Sequence, residues 1–343
     1  MIQRMGAGSI RFCDPPVILS SCAVGGKKEA EGPLADAFDI LNKDTRFGTG
    51  SWEKAERKMQ QLALDGALQK QRLNYSDLDL MFAGDLLNQC ISSSFSLRDK
   101  GIPVLGLYGA CSTMAEGLCL AGMSIAGGAA QTAGVLTSSH FAASERQYRF
   151  PLNYGGQRTP TAQWTVTGSG CAILGSAGDG PRLMGCTVGN IVDMGIKDAN
   201  NMGAAMAPAA YDTIRRHMDA FSLAPEDYDL IVTGDLGDVG AELLQILFRR
   251  DGVETASVYR DCGTMIFDRQ TQDVHAGGSG CGCSAVVLCG HLLKELRRGS
   301  IKKLLFCGTG AMLSPTSTQQ GESIPGVCHA VTIVSQEVRE WTM

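Results

Sequence analysis

Short apolar runs closed by glycine alternate along this chain with longer stretches that carry apolar residues at helical spacing. Residues 17–21 form the first run. Ser51 is an N-cap residue type ahead of a helical pattern over 52–73, with Trp52, Met59, Leu62, Ala63 and Leu68 roughly at helical spacing. The run 80–83 stops at Gly84-Asp85, residues 91–100 are helical in pattern, and 104–107 is another strand. That strand ends at Gly109, and a helix reaching about Gly128 starts just after Cys111. A single thiol therefore stands at a strand-to-helix turn. Strand 134–138 follows, then a long loop over 140–163, then a strand over 165–174. Residues 117–144 carry no charged side chain, but glycines, Gln131 and Thr132 interrupt them. They read as a buried helix and strand, because a membrane span wants about 20 predominantly apolar residues.

The second half repeats the first. Residues 73–86 can be laid on 223–236 with seven of fourteen positions identical: Leu73, Asp77, Asp79, Leu80, Gly84, Asp85 and Leu86 match Leu223, Asp227, Asp229, Leu230, Gly234, Asp235 and Leu236. Each segment follows a predicted helix, 52–73 and then 204–221. Strand 183–188 answers 17–21, helix 281–297 answers the one after Cys111, and 304–310 answers 134–139. A repeat this long is a doubled domain. The pattern predicts an α/β fold of two similar halves about a pseudo-twofold, residues 1–180 and 181–343.

Composition narrows the class. Of 343 residues, 44% are hydrophobic and 43 are glycine, which suits a large core wound with tight turns. A net charge of -5 with no basic cluster argues against nucleic acid. The 13 cysteines are too sparse for a disulfide scaffold, and Cys281 and Cys283 have no second close pair to complete a zinc set, so reduced thiols and no metal or cofactor are expected. Residues 1–9 lack the apolar core of a signal peptide, and no spanning helix or lipidation motif is visible.

Ligands of α/β sheets bind beyond the carboxyl ends of strands. The residues there make up the candidate binding set: Asp85, Asn88, Cys111, Ser112, Thr113, His140, Asp235, Ser279 and Thr309. Two roles fit Cys111, an acyl-transfer nucleophile or a small buried residue. Ser112 and Thr113 are N-cap types, and a helix N-terminus beside the sulfur predicts a thiolate. Asp85 and Asp235 are either strand-end caps or carboxylates that meet an anionic ligand through a cation such as calcium.

A duplicated α/β chain with one cysteine at this turn resembles the thiolase superfamily, which includes the ketoacyl synthases. The resemblance implies an acyl-accepting cysteine assisted by a His and an Asn or second His from the C-terminal half. Cys111 matches the nucleophile, but the partner positions hold Thr233-Gly234-Asp235-Leu236 and Gly277-Gly278-Ser279-Gly280. None of His140, His217, His275, His291 or His329 falls on a matching position. A narrower set of motifs comprises Ala83-Gly-Asp-Leu-Leu-Asn-Gln, Gly109-Ala-Cys-Ser-Thr, Thr137-Ser-Ser-His, Tyr154-Gly-Gly-Gln, Thr165-Val-Thr-Gly-Ser-Gly, Met206-Ala-Pro-Ala-Ala, Ala276-Gly-Gly-Ser-Gly-Cys and Leu313-Ser-Pro-Thr. Together they resemble the stage V sporulation protein AD family of spore-forming bacteria over residues 15–334. That resemblance implies a thiolase-like fold that binds dipicolinic acid (pyridine-2,6-dicarboxylate), with calcium as a candidate companion. It further implies work with proteins of the same operon at the spore inner membrane, peripheral attachment there, and a homodimer. An acyltransferase or condensing enzyme is the alternative, and a scaffold with a vestigial pocket is a third.

Overall fold

The repeated residues explain where the strands begin. In a computed structural model describing residues 1–148 and 157–338, the Asp77 carboxylate accepts the Asn74 amide (2.7 Å), and Asp227 does the same for Ala224 (2.8 Å). Two residues on, Asp79 accepts the amides of Gln131 and Thr132, while Asp229 accepts those of Lys302 and Lys303. Each aspartate thus ties the start of one strand to the start of its neighbour. Tyr154-Gly-Gly of the sequence motif lies outside the described residues.

In chain order the first half contains strands β1 (Ile2–Arg4), β2 (Ser9–Phe12), β3 (Val17–Gly25), β4 (Ile40–Leu41), β5 (Leu80–Asp85), β6 (Val104–Leu107), β7 (Thr132–Ser139), β8 (Trp164–Thr165) and β9 (Gly168–Gly175). Its helices are α1 (Trp52–Gln71), α2 (Ile91–Leu97), α3 (Thr113–Ala126) and α4 (Phe141–Tyr148). The second half has β10 (Arg182–Thr187), β11 (Leu230–Thr233), β12 (Tyr259–Asp261), β13 (Gly278–Ser279), β14 (Lys303–Ala311) and β15 (Gly326–Val334). Its helices are α5 (Met202–Phe221), α6 (Gly237–Arg250), α7 (Cys262–Met265), α8 (Cys281–Val287), α9 (Leu293–Arg298) and α10 (Pro315–Gln319), with a π-turn, Leu288–Leu292, joining α8 to α9.

One sheet runs β12-β11-β14-β15-β10-β3-β9-β7-β5-β6, so the order β3-β9-β7-β5-β6 outward from the centre is matched by β10-β15-β14-β11-β12. The central helices cross over. α3 of the first half packs on β14 and β15 as well as β5 and β7, and α8 of the second half packs on β3, β7 and β9. All seven residues of α8 are buried, each large aliphatic one stabilising the fold by about 1.5–3 kcal/mol relative to exposure. This exchange brings the Cys111 end of α3 against the second half.

Two expectations change. Residues 140–163 are not all loop: α4 forms at 141–148, where the His140 ring accepts the Ala143 amide and Ala143 is buried. The predicted strand 165–174 is broken at 166–167 into β8, which pairs with β13, and β9, which joins the main sheet.

Candidate functional site

After β6 the chain turns through Ala110, which takes the left-handed conformation (φ 49°), a strain of about 1–2 kcal/mol for a residue with a Cβ. The turn satisfies itself. Ser112 Oγ donates to Gly109 O (2.7 Å), and Thr113 Oγ1 donates to Ala110 O (2.7 Å) and accepts the Gly109 amide (3.2 Å). Neither hydroxyl caps α3 as its residue type suggested, and both are fully buried. Strand β14 backs the turn so closely that a Cβ on Gly310 would sit 2.5 Å from Gly109 O, so glycine is required there.

Cys111 is not a thiolate. It is 6% exposed, and burial, followed by the charge and hydrogen bond of Asp235, pushes its thiol well up. A helix end favours an anion by about 0.3–1 kcal/mol, whereas burying an unpaired charge costs far more, so burial prevails over the helix end at this sulfur.

Asp235 is fully buried and gathers three donors from two segments besides the thiol. Its carboxylate accepts Gly280 N (2.9 Å), Ser279 Oγ (3.1 Å) and Thr309 Oγ1 (2.8 Å). The second-half strand end is fixed in turn by Asp261. That carboxylate accepts Thr233 Oγ1 (2.7 Å), Leu236 N (2.8 Å) and Gly237 N (3.0 Å), and burial raises it to about 7. Gln163 Nε2 donates to Asp235 O (2.6 Å) and Gly278 O (3.0 Å). Sequence reasoning missed Asp261, although an aspartate just before the start of α7 is an N-cap signal, and its carboxylate does accept Thr264 N.

The structure therefore brings Cys111, Asp235, Ser279 and Thr309 together. Asp85 is held in its own half by Leu87 N, Ser93 N and Ser93 Oγ, near the buried Glu56. Asn88 is exposed. His140 reaches Thr45 O through Nε2 (2.8 Å) and lines a different cavity, its pKa lowered by burial.

Over Cys111 lies a chamber of about 40 Å³ walled by Tyr108, Glu145, Tyr148, Thr165, Ser279 and Leu313 among others. Thr165 Oγ1 donates to Glu145 Oε1 (2.9 Å), the two tyrosine hydroxyls meet (2.7 Å), and Tyr148 donates to Leu86 O. Glu145 and Tyr148 fall in the stretch the sequence predicts as loop, and α4 is what aims them inward. Among the described residues no group of three or more His, Cys, Asp or Glu could hold a metal ion.

The family model for stage V sporulation protein AD matches residues 6–334. This chain belongs to that family. A curated relative, stage V sporulation protein AD of Bacillus subtilis (strain 168), is 43% identical over 320 residues, covering 93% of this chain and 94% of the relative. Among solved structures, 3-oxoacyl-[acyl-carrier-protein] synthase III from Aquifex aeolicus VF5 superposes with a TM-score of 0.57 at 13% identity, over 93% of this chain and 99% of that one. Cerulenin-bound OleA from Xanthomonas campestris gives 0.59 at 13% identity, over 93% and 96%. Likeness at such low identity concerns the fold alone, and it bears out the thiolase-like architecture. Within that fold the family member described here sets a carboxylate, Asp235, against its cysteine.

Proposed function

We propose that this chain is a non-catalytic binding protein for dipicolinic acid, acting in stage V of sporulation in the uptake of that acid into the developing spore. The contact between Asp235 and Cys111 carries the non-catalytic half of the reading. Burial, and after it the carboxylate beside the sulfur, raises the thiol's pKa, and the thiolate is the form that attacks an acyl group. The ligand half rests on family membership. Asp235 presents little free charge to a dianion, because four donors share it. In this reading the ring lies against Cys111 beside the tyrosine hydroxyls, and α4 moves outward to admit it. The chamber as it stands has room for ordered water but not for a ring with two carboxylates.

Partners follow the same reading: other proteins of the operon, peripheral attachment at the spore inner membrane, and a second copy of the chain. No helix among the described residues is long and apolar enough to cross a membrane. The outer edge of β6, which no other strand pairs among the described residues, supports a dimer, since Val104, Leu105 and Tyr108 there and Ile91 and Phe95 of the neighbouring α2 are 38–52% exposed.

Calorimetric titration with dipicolinate, with and without calcium, tests the function. The wild type should bind saturably, and Cys111→Trp should lose the chamber equivalent with its circular-dichroism spectrum intact. Absence of saturable binding in either buffer would overturn the reading. An acyl group found on Cys111 by mass spectrometry after incubation with acyl-coenzyme A would favour the acyltransferase instead.

A further inference from the structure

α4 and β8 form a wall between two cavities. Towards the Cys111 chamber they present Ser144, Glu145, Tyr148 and Thr165, and towards a surface cavity of about 350 Å³ they present Phe141, Ala142 and Trp164. The outer cavity falls within the range of small-molecule pockets, about 300–1,000 Å³, whereas the chamber does not.

Its lining is aromatic and cationic. Phe141 stacks on Trp164 with ring centroids 3.9 Å apart, and Lys28 Nζ lies 4.3 Å from the Trp164 centroid. Trp52 forms another face, with the Arg46 guanidinium 5.8 Å from its centroid. Two nearby cations are already committed, Arg146 to Glu53 and Arg158 to Glu145. Lys27, Lys28 and Arg46 have no ion pair among the described residues. Against them stand two carboxylates of the lining. Glu29 is buried and accepts the Thr167 amide (2.9 Å), and burial raises it to about 7. Glu31 is exposed.

We propose that this cavity is a second binding site, taking a planar aromatic carboxylate whose ring lies on the Trp52 surface beside the Phe141–Trp164 stack and whose anionic groups pair with Lys27 and Lys28. Free ammonium groups supply the charge and the aromatic side chains supply a flat apolar surface, a combination that neither inorganic phosphate nor an aliphatic acid would use fully. The proposal rests on the function proposed above only for naming dipicolinate as the occupant.

Trp52 and Trp164 line the cavity, and Trp341 is the third tryptophan of the chain, so a Trp341→Phe background makes the fluorescence report on this cavity. We would titrate that protein with dipicolinate and with isophthalate, the benzene analogue of the same shape. Saturable quenching is expected with both, weakened about tenfold or more in Lys27→Ala/Lys28→Ala. Filling the chamber with Cys111→Phe should leave the quenching in place. If dipicolinate binds at one equivalent, is lost in Cys111→Trp and is indifferent to the lysines, the second site is overturned and the functional reading stands. If isophthalate quenches in a lysine-dependent way while dipicolinate binds nowhere, the site stands and the functional reading falls.

Discussion

Gly84-Asp85-Leu86 and Gly234-Asp235-Leu236 are the same three residues at the ends of equivalent strands, yet their carboxylates keep different company. Asp85 is served from within eight residues, by Leu87 N (2.9 Å), Ser93 N (2.8 Å) and Ser93 Oγ (2.6 Å). Asp235 is served by Ser279, Gly280 and Thr309 from distant parts of its own half and by Cys111 from the other half. Each has a second carboxyl nearby, Glu56 for Asp85 and Asp261 for Asp235, and burial holds both of these above the usual carboxylate range. In a duplicated fold, then, the motif fixes the position of a side chain, and the segments reaching it from elsewhere fix its chemistry.

The largest test removes both carboxylates. Asp85→Ala and Asp235→Ala each orphan several buried donors and should cost about 2–5 kcal/mol in urea denaturation. Only Asp235→Ala should also speed alkylation of Cys111, followed by site-resolved mass spectrometry. Equal acceleration in Asp85→Ala would erase the distinction drawn between the two turns.

The accompanying carboxyls make a pH test. Asp261 is raised by burial to about 7, against about 4 in an unfolded chain. Between those values the folded protein holds a proton that the unfolded chain has released, so stability falls as pH rises through that window. The contribution is complete below pH 4 and gone above about pH 7. Asp261→Asn should flatten this slope by an amount on the order of 2 kcal/mol between pH 5 and 8, leaving the part due to Glu29, which is raised in the same direction. An unchanged slope in denaturation measured at both pH values would mean Asp261 is ionised in the fold.

A gentler change isolates the charge. Asp235→Asn keeps the volume and removes the negative charge beside the sulfur, so the Cys111 thiol should ionise more readily and label about tenfold faster at pH 8. Asp85→Asn should leave that rate alone.

How much of this was legible in the sequence follows the range of the interactions. Ser51 was readable as a cap because its hydroxyl accepts an amide three residues on, Lys54 N (3.3 Å). The strands 80–83 and 104–107 and the repeated Asp77 and Asp227 turns are likewise local. The absence of a His or Asn partner for Cys111 was also readable, from Gly234-Asp235 and Gly278-Ser279. The protonation state of Cys111 was not, because it depends on burial by the opposite half. α4 was missed because its stabilising contacts are long-range, such as Thr165 to Glu145 and Arg146 to Glu53. His140 follows a strand as Cys111 does, but it faces the outer side of the α4 wall.

The smallest effect should come from Ser279→Ala. Its hydrogen bond to Asp235, at 3.1 Å, is longer than those from Gly280 N and Thr309 Oγ1, and the carboxylate retains both of these and the Cys111 thiol. No charge is orphaned, so the loss should be about 0.5–1.5 kcal/mol, the net worth of one hydrogen bond. Ser279 also favours ionisation of Cys111, so its removal should slow alkylation slightly, the opposite of Asp235→Asn. The matching change on the other side, Ser93→Ala, removes the 2.6 Å donor from Asp85 and should cost stability without touching Cys111. If Ser279→Ala instead accelerated labelling, the hydroxyl would be shielding the sulfur sterically, and the carboxylate would have less hold on the thiol than its position suggests.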